Sequence, residues 1–477
     1  MVLEARPYRR QAFDRSEKIY LLKVALVVLF VNFFRREIAG LAGFLWMLLP
    51  MLLFSYVWFK SIQTGERVID VLREHVTLIP VAYAERGNKP FIPKATLALV
   101  LVNAAVFYVM TLLDAEAAVA LIDRFCFLPV ATGSWSALVS PLTSMFLHAD
   151  AVHLWGNMAF LWAFAPAVEE RLGWRRLVAL YLLTGIAGGL LSVVILRLFF
   201  FKAIHTIGAS GAVSGIMGVF MVRCYFKKLI IPIPILGLVS AKLKLNSLLP
   251  IGLFFLRDLQ GGFRQLAGSN SPIGFWAHVG GMLTGFSLAL AFRMHAKAAE
   301  EKFTEAGLAA MENTVSRRES VDALHAALQL NPENEAALLG LAREYAITRR
   351  PEGRELFQRV IQLKLRSDPG TALGIFAQYR DAYAQMLDPD LNYRLAAAFY
   401  KQDDHEPAAR LLEAIVLEPS ASDDTRQRAF FQLIVLLAEN SMLDAAHFRL
   451  EQFKEQFPGA ELAKLAEDKF VEMLKEE

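Results

Sequence analysis

The chain has 477 residues, is 55% hydrophobic and carries a formal net charge of +3, with a mean hydropathy of +0.37. That hydropathy lies above the soluble globular range, and so small a charge with no Lys/Arg-rich tract argues against a nucleic-acid partner. Two cysteines, Cys126 and Cys224, build neither a disulfide framework nor a cysteine metal cluster, so no metal and no cofactor is expected.

The apolar residues are concentrated. Residues 19 to about 295 hold long uncharged runs, whereas 296–477 reads as polar amphipathic helices. The expected class is all-α: a polytopic membrane helical bundle with a six-helix core, followed by a soluble α-helical repeat domain. The boundaries follow composition, with an N-terminal extension over 1–92, the six-helix domain over 93–295 and the repeat domain over 300–477.

The first 18 residues are basic (Arg6, Arg9, Arg10, Arg15, Lys18) and precede an apolar run without a small-residue cleavage site. This reads as an uncleaved membrane anchor. Two apolar stretches follow, Ile19–Phe34 and Ile38–Phe59, separated by Arg35-Arg36-Glu37. Both flanks are basic and belong on one side, which fits either a hairpin of two spans or an interfacial pair. Residues 60–92 form a polar linker.

Six candidate helices come next: Pro93–Leu113, Val152–Val168, Leu177–Leu196, Gly208–Phe226, Ser247–Leu259 and Gly274–Phe292. The stretch Leu229–Ser240 is too short to span and is broken by Pro232 and Pro234, so it reads as a cytoplasmic-side loop. Basic residues follow the second, fourth and sixth helices (Arg171, Arg175, Arg176; Arg223, Lys227, Lys228; Arg293, Lys297). Those ends are then cytoplasmic, as is the repeat domain. His153, Ser210 and His278 each lie near the start of one of these helices, so all three share one depth near the outer face. The loop 114–147 carries Phe125, Phe127, Trp135 and Phe146 and suits partial immersion in the interface. The stretch from Gly261-Gly262 to Gly274 reads as a mobile cap.

Beyond residue 300 the pattern is paired helices. Leu338, Leu341, Ala342 and Tyr345 share a face after Asn331-Pro332. Leu395, Ala396, Phe399, Ala408, Leu412 and Ile415 repeat the scheme before Pro419, and Leu433 to Ala438 starts another unit before Pro458. The spacing resembles tetratricopeptide repeats, which present a binding face to a protein partner.

Polar residues at membrane depth are functional candidates by default. A serine needs a base to become a nucleophile, and histidine is the usual one. Ser210 lies in Gly208-Ala209-Ser210-Gly211, at a helix start. His278 heads the sixth helix, with Gly281 and Gly285 on its face, and these glycines let that helix approach the glycines of the fourth. No acidic residue shows a clear claim to orient His278, so the expected machinery is a dyad. His153 and Asn157, four apart, share a helical face and both donate hydrogen bonds; with the Ser210 N–H they form a candidate oxyanion hole. His148 is assigned a structural role, tying the long loop to the helix. A metal site of His148, Asp150 and His153 is the rival reading, but it lacks the helical His pair with intervening Glu of a zinc protease.

Leu147-His148, His153-Leu154 with Asn157, Val168-Glu169-Glu170-Arg171-Leu172-Gly173, Gly208-Ala209-Ser210-Gly211 and Ala277-His278 with Gly281 and Gly285 together resemble the rhomboid intramembrane serine proteases, in order, from about Pro93 to Phe292. The resemblance implies a six-helix core that cleaves transmembrane protein substrates near the surface of the lipid bilayer. It makes Ser210 the nucleophile, His278 the base, and His153, Asn157 and the Ser210 N–H the oxyanion hole. Glu169 and Arg171 would hold the inner end of the second helix. Two departures stand out: the Trp-Arg pair of the first loop in many members is Val139-Ser140 here, and the aromatic that often follows the nucleophile by four is Ser214.

Water must reach such a site, and Ser144, His148, Asp150, His205 and Ser271 are the expected lining of its entrance. Unstable, Gly/Ala-rich substrate helices are the expected targets, since helical carbonyls are shielded. A multi-pass protein of a bacterial plasma membrane is the expected setting. Other classes weighed were an inactive rhomboid-like binder of membrane helices, a membrane-tethered scaffold acting through its repeats, and a small-solute transporter.

Overall fold

The structure is a computed structural model that describes residues 15–33, 55–77, 82–86, 91–127, 135–200, 206–236, 239–311 and 317–474. It divides into two compact units, Met1–Ala298 and Ala299–Glu477. Helices dominate both.

In the first unit, α1 (Arg15–Phe33) covers most of the first expected apolar stretch, residues 55–64 are helical (α2), and α3 is Val68–His75. The stretch 34–54, most of the second apolar segment, lies outside the described residues. All six expected core segments are helical: α4 (Lys94–Thr111), α7 (Ala151–Leu172), α8 (Trp174–Phe200), α9 (Ser210–Arg223), α10 (Leu248–Leu266) and α11 (Phe275–Ala291). The loop between α4 and α7 holds two further short helices, α5 (Ala115–Phe125) and α6 (Trp135–Thr143). Asp114 caps α5 by accepting the Ala117 N–H at 2.8 Å. Among the described helices, α4, α7 and α8 are long and apolar enough to cross a membrane, and α11 joins them if counted with the helix after it.

Two expectations are corrected here. The segment after α9 is a β-hairpin rather than a loop, formed by β3 (Lys228–Leu236) and β4 (Val239–Asn246). The linker adds a short strand to each side, β1 (Val76–Thr77) and β2 (Tyr83–Ala84), giving an antiparallel sheet in the order β1-β4-β3-β2. Prolines are tolerated in β3 because β2 pairs only with Leu229 and Ile230. Pro232 and Pro234 therefore sit where β3 pairs on one side alone, and a missing N–H disrupts no ladder. The second correction concerns Gly261-Gly262, which is helical in α10 rather than part of a cap. Cβ atoms at these two positions would run into the rings of Phe275 and Trp276, so the glycines admit the start of α11. The connection that follows is tied down by Gln265, whose Nε2 donates to the carbonyls of Ser271 (3.0 Å) and Ile273 (2.9 Å).

The core gathers around α9. Ala212, Ile216, Val219 and Phe220 are fully buried there, against Leu154 and Leu161 of α7 and Leu177 and Tyr181 of α8. An all-buried helix of this kind needs small residues wherever backbones meet. Gly215 meets Thr184 of α8, and Gly218 meets the Met282 carbonyl of α11.

The second unit is built from helices among its described residues, with α12 (Met294–Met311) leading in and nine further helices: α13 (Arg317–Leu330), α14 (Glu335–Ile347), α15 (Glu352–Ser367), α16 (Pro369–Ala382), α17 (Pro389–Tyr400), α18 (His405–Leu417), α19 (Asp423–Glu439), α20 (Leu443–Gln456) and α21 (Glu461–Met473). Starts are encoded locally: Asn334, Asp368, Asp388 and Ser422 each accept a backbone N–H three residues on, and Pro369 and Pro389 occupy first-turn positions. Successive helices pack on each other, α14 on α15, α17 on α18 and α19 on α20. Leu338, Leu341, Ala342 and Tyr345 are buried, as are Leu395, Ala408, Leu412 and Ile415. In chain order, helix α16 stands between the first two pairs.

Candidate active site

Ser210 is the first residue of α9, and the turn that presents it depends on Gly208. Its φ of +111° is a conformation that side chains rarely adopt. Gly208 donates its N–H to the Ser144 carbonyl at 2.9 Å, anchoring the turn to the short 3-10 helix Ser144–Phe146. A Cβ at Gly208 would also strike the imidazole of His153. The glycine thus serves both the turn and the seat of that ring.

His153 lies in the first turn of α7, whose start is set by Asp150, a carboxylate accepting the His153 N–H at 2.8 Å. One turn further, Asn157 is buried, and its Nδ2 has no acceptor among the described residues. A buried amide donor without an acceptor is costly to the fold.

His278 opens the second turn of α11. Its Nδ1 lies 2.8 Å from Asp258 Oδ2 on α10, and Asp258 is 1% exposed. The sequence offered no acid with a clear claim on His278; the structure brings one from the neighbouring helix. Phe254, one turn before Asp258, stacks on the imidazole with centroids 5.8 Å apart and planes at 29°. An aromatic thus covers the ring although position 214 holds a serine. Ser214 is itself buried at 1% exposure.

Ser210, His278, His153 and Asn157 line one cavity of about 480 Å³, with Asp150 and Ser271 also on its walls. Two members of the expected entrance lie elsewhere: Ser144 and His148 are buried and do not line this cavity. His205 lies outside the described residues. The His148 ring meets that of His153 edge-on, with centroids 5.2 Å apart at 69°. Burial and the neighbouring His153 hold its pKa down at about 4, so at neutral pH it is an uncharged support.

Glycine contacts fix how α9 and α11 meet. A Cβ at Gly281 would overlap the Gly211 carbonyl oxygen, and one at Gly285 the Gly215 carbonyl oxygen. At the far end of α7, the buried Glu169 carboxylate accepts the N–H groups of Ala95 and Thr96, both at 2.8 Å, and the Thr96 hydroxyl at 2.7 Å. It therefore caps α4 and joins two core helices. Arg171 donates to the Ala167 carbonyl (2.9 Å) and pairs with Glu170 (3.2 Å).

Residues 135–295 match the family model described as Rhomboid domain. The chain is 30% identical over 170 residues to "RHOMBOID-like protein 6, mitochondrial" of Arabidopsis thaliana, covering 34% of this chain and 46% of that protein. It is 39% identical over 85 residues to "Putative rhomboid protease YdcA" of Bacillus subtilis (strain 168), covering 18% and 39% respectively. "Rhomboid protease GluP" of the same bacterium is 36% identical over 83 residues, covering 17% and 15%. The matched region spans less than half the length of each of these curated relatives.

Proposed function

Because this membrane protein carries a rhomboid domain, we propose that it is an intramembrane serine endopeptidase that hydrolyses peptide bonds in or near transmembrane helices of other proteins. The observation that carries this reading is the convergence of Ser210, His278, His153 and Asn157 on one cavity with polar walls. His278 accepts the Ser210 proton as Oγ attacks the scissile carbonyl. The developing oxyanion is received by donors from His153, Asn157 and the Ser210 N–H at the start of α9. His278 then protonates the leaving amine, and water entering past Asp150 and Ser271 releases the acyl group.

Basic residues at the inner ends of α7, α9 and α11 support an orientation with the cavity near the outer face of a bacterial plasma membrane and the second unit in the cytoplasm. The paired helices of that unit support a tetratricopeptide-like platform for a protein partner.

Cleavage of a reconstituted transmembrane reporter by the wild type and by Ser210→Ala, with reporter binding followed in parallel, tests the reading. Cleavage lost in the variant while binding survives is the expected result. Binding without cleavage by the wild type would move the chain to the inactive binders, and cleavage that persists in Ser210→Ala would sink the mechanism.

A further inference from the structure

We propose that Asp258 is the positioning residue for the base: its carboxylate holds His278 as the Nδ1–H tautomer, leaving Nε2 free to take the Ser210 proton. The inference rests on the endopeptidase reading and extends its dyad to a three-residue relay whose third member comes from α10.

Three observations carry it. The first is the contact, Asp258 Oδ2 to His278 Nδ1 at 2.8 Å. A neutral imidazole protonated at Nδ1 donates to that oxygen, and its lone pair then sits on Nε2. The second is burial. Asp258 is 1% exposed and its Oδ1 has no hydrogen bond among the described residues, so the imidazole is the one partner it holds there. A buried carboxylate so sparsely bonded adds little stability compared with an apolar side chain of its size; the histidine is what it serves. The third is the second hold from the same helix. Phe254 and Asp258 are four apart on one face of α10, one flattening the ring and the other fixing its Nδ1 edge.

The other groups around the ring leave that role to Asp258. His153 of α7 and Ser210 of α9 line the same cavity as His278. On α10, Arg257 lies over the Phe254 ring at 6.0 Å. Asp258 is the sole carboxylate bonded to the ring among the described residues.

The test uses the full chain, reconstituted, with kcat and KM for reporter cleavage measured across pH for the wild type, Asp258→Asn and Asp258→Glu. An asparagine amide at this place donates to Nδ1 and selects the wrong tautomer. The expected result for Asp258→Asn is a fall in kcat of about 10²- to 10⁴-fold with KM nearly unchanged. Asp258→Glu should restore part of the rate. Wild-type kcat in Asp258→Asn overturns the proposal while leaving the dyad intact. Imidazole ¹⁵N NMR of His278 in the wild type reads the tautomer directly, whatever the variants do on folding: Nδ1–H is expected, and Nε2–H overturns the proposal. A wild type that never cleaves sinks the endopeptidase reading instead, an outcome the NMR arm keeps distinct.

Discussion

Gly281 of α11 stands so close to the Gly211 carbonyl oxygen of α9 that a single methyl group at 281 would overlap it. Ser210 immediately precedes the one residue, and His278 lies one turn before the other. The approach of the two helices that carry the hydroxyl and the imidazole is therefore set by backbone contact. Gly285 against Gly215, one turn deeper, repeats the contact and fixes the angle at which the helices run.

Gly281→Ala is expected to destabilise the protein by about 1–3 kcal/mol, the usual range for overpacking, and to cut cleavage in the fraction that stays folded. Gly156, between His153 and Asn157 in sequence, has nothing within reach of an added Cβ. Gly156→Ala should therefore be neutral or stabilising by up to about 1 kcal/mol through helix propensity. Melting curves in detergent beside reporter cleavage check the pair, and equal damage from both would remove the argument from glycine contact.

Glu169 should matter to stability and leave the proposed cleavage by the folded fraction alone. Its carboxylate accepts three hydrogen bonds at the start of α4. Glu169→Ala abandons those donors and is expected to cost about 3 kcal/mol or more. Thermal unfolding measures the loss, and kcat per active site, titrated with a serine-directed inhibitor, should remain near wild type.

Asn157 should behave in the opposite way. Its Nδ2 has no acceptor among the described residues, so its removal takes little from the fold. Asn157→Ala is expected to lower kcat by about 10²- to 10³-fold with a small change in KM. Steady-state kinetics decide: a raised KM at unchanged kcat would assign the residue to substrate binding rather than to the transition state.

His148 makes stability depend on pH. Its folded pKa is held at about 4, below the ordinary 6.5, so the unfolded chain binds the extra proton between those values. Stability from this site is complete above pH 6.5 and is lost as pH falls toward 4, by roughly 3 kcal/mol in all. Denaturation followed from pH 7 to pH 4 should show this loss, and His148→Phe should flatten that part of the profile.

Much of the site was legible because its residues break the rule of an apolar segment. Ser210, His153, Asn157 and His278 are polar within runs of hydrophobic residues. Asp258 is hard to read from the sequence because Arg257, Gln260 and Arg264 make its end of α10 look solvated. Yet Ile251, Asp258, Gly262 and Gln265 fall on one buried helical stripe, and an acid on that stripe was the available signal. The hairpin was hidden by Pro232 and Pro234, which read as breakers. The alternation of Lys242 and Lys244 with Ala241, Leu243 and Leu245 carried the strand period instead. Phe254 lies outside what local spacing can tell, since its contact with His278 depends on how two helices meet.

The sheet has a consequence for how the molecule is made. Tyr83 pairs with Ile230, and Val76 with Ala241, partners that leave the ribosome roughly 150 residues later. The linker strands must therefore wait, unpaired, until α4, α7, α8 and α9 have been synthesised. Once closed, they cover part of both edges of a hairpin that would otherwise invite pairing with a second chain. A chain begun at Pro93 keeps every group that lines the cavity but loses that cover. Its first failure should be self-association rather than loss of the proposed hydrolysis.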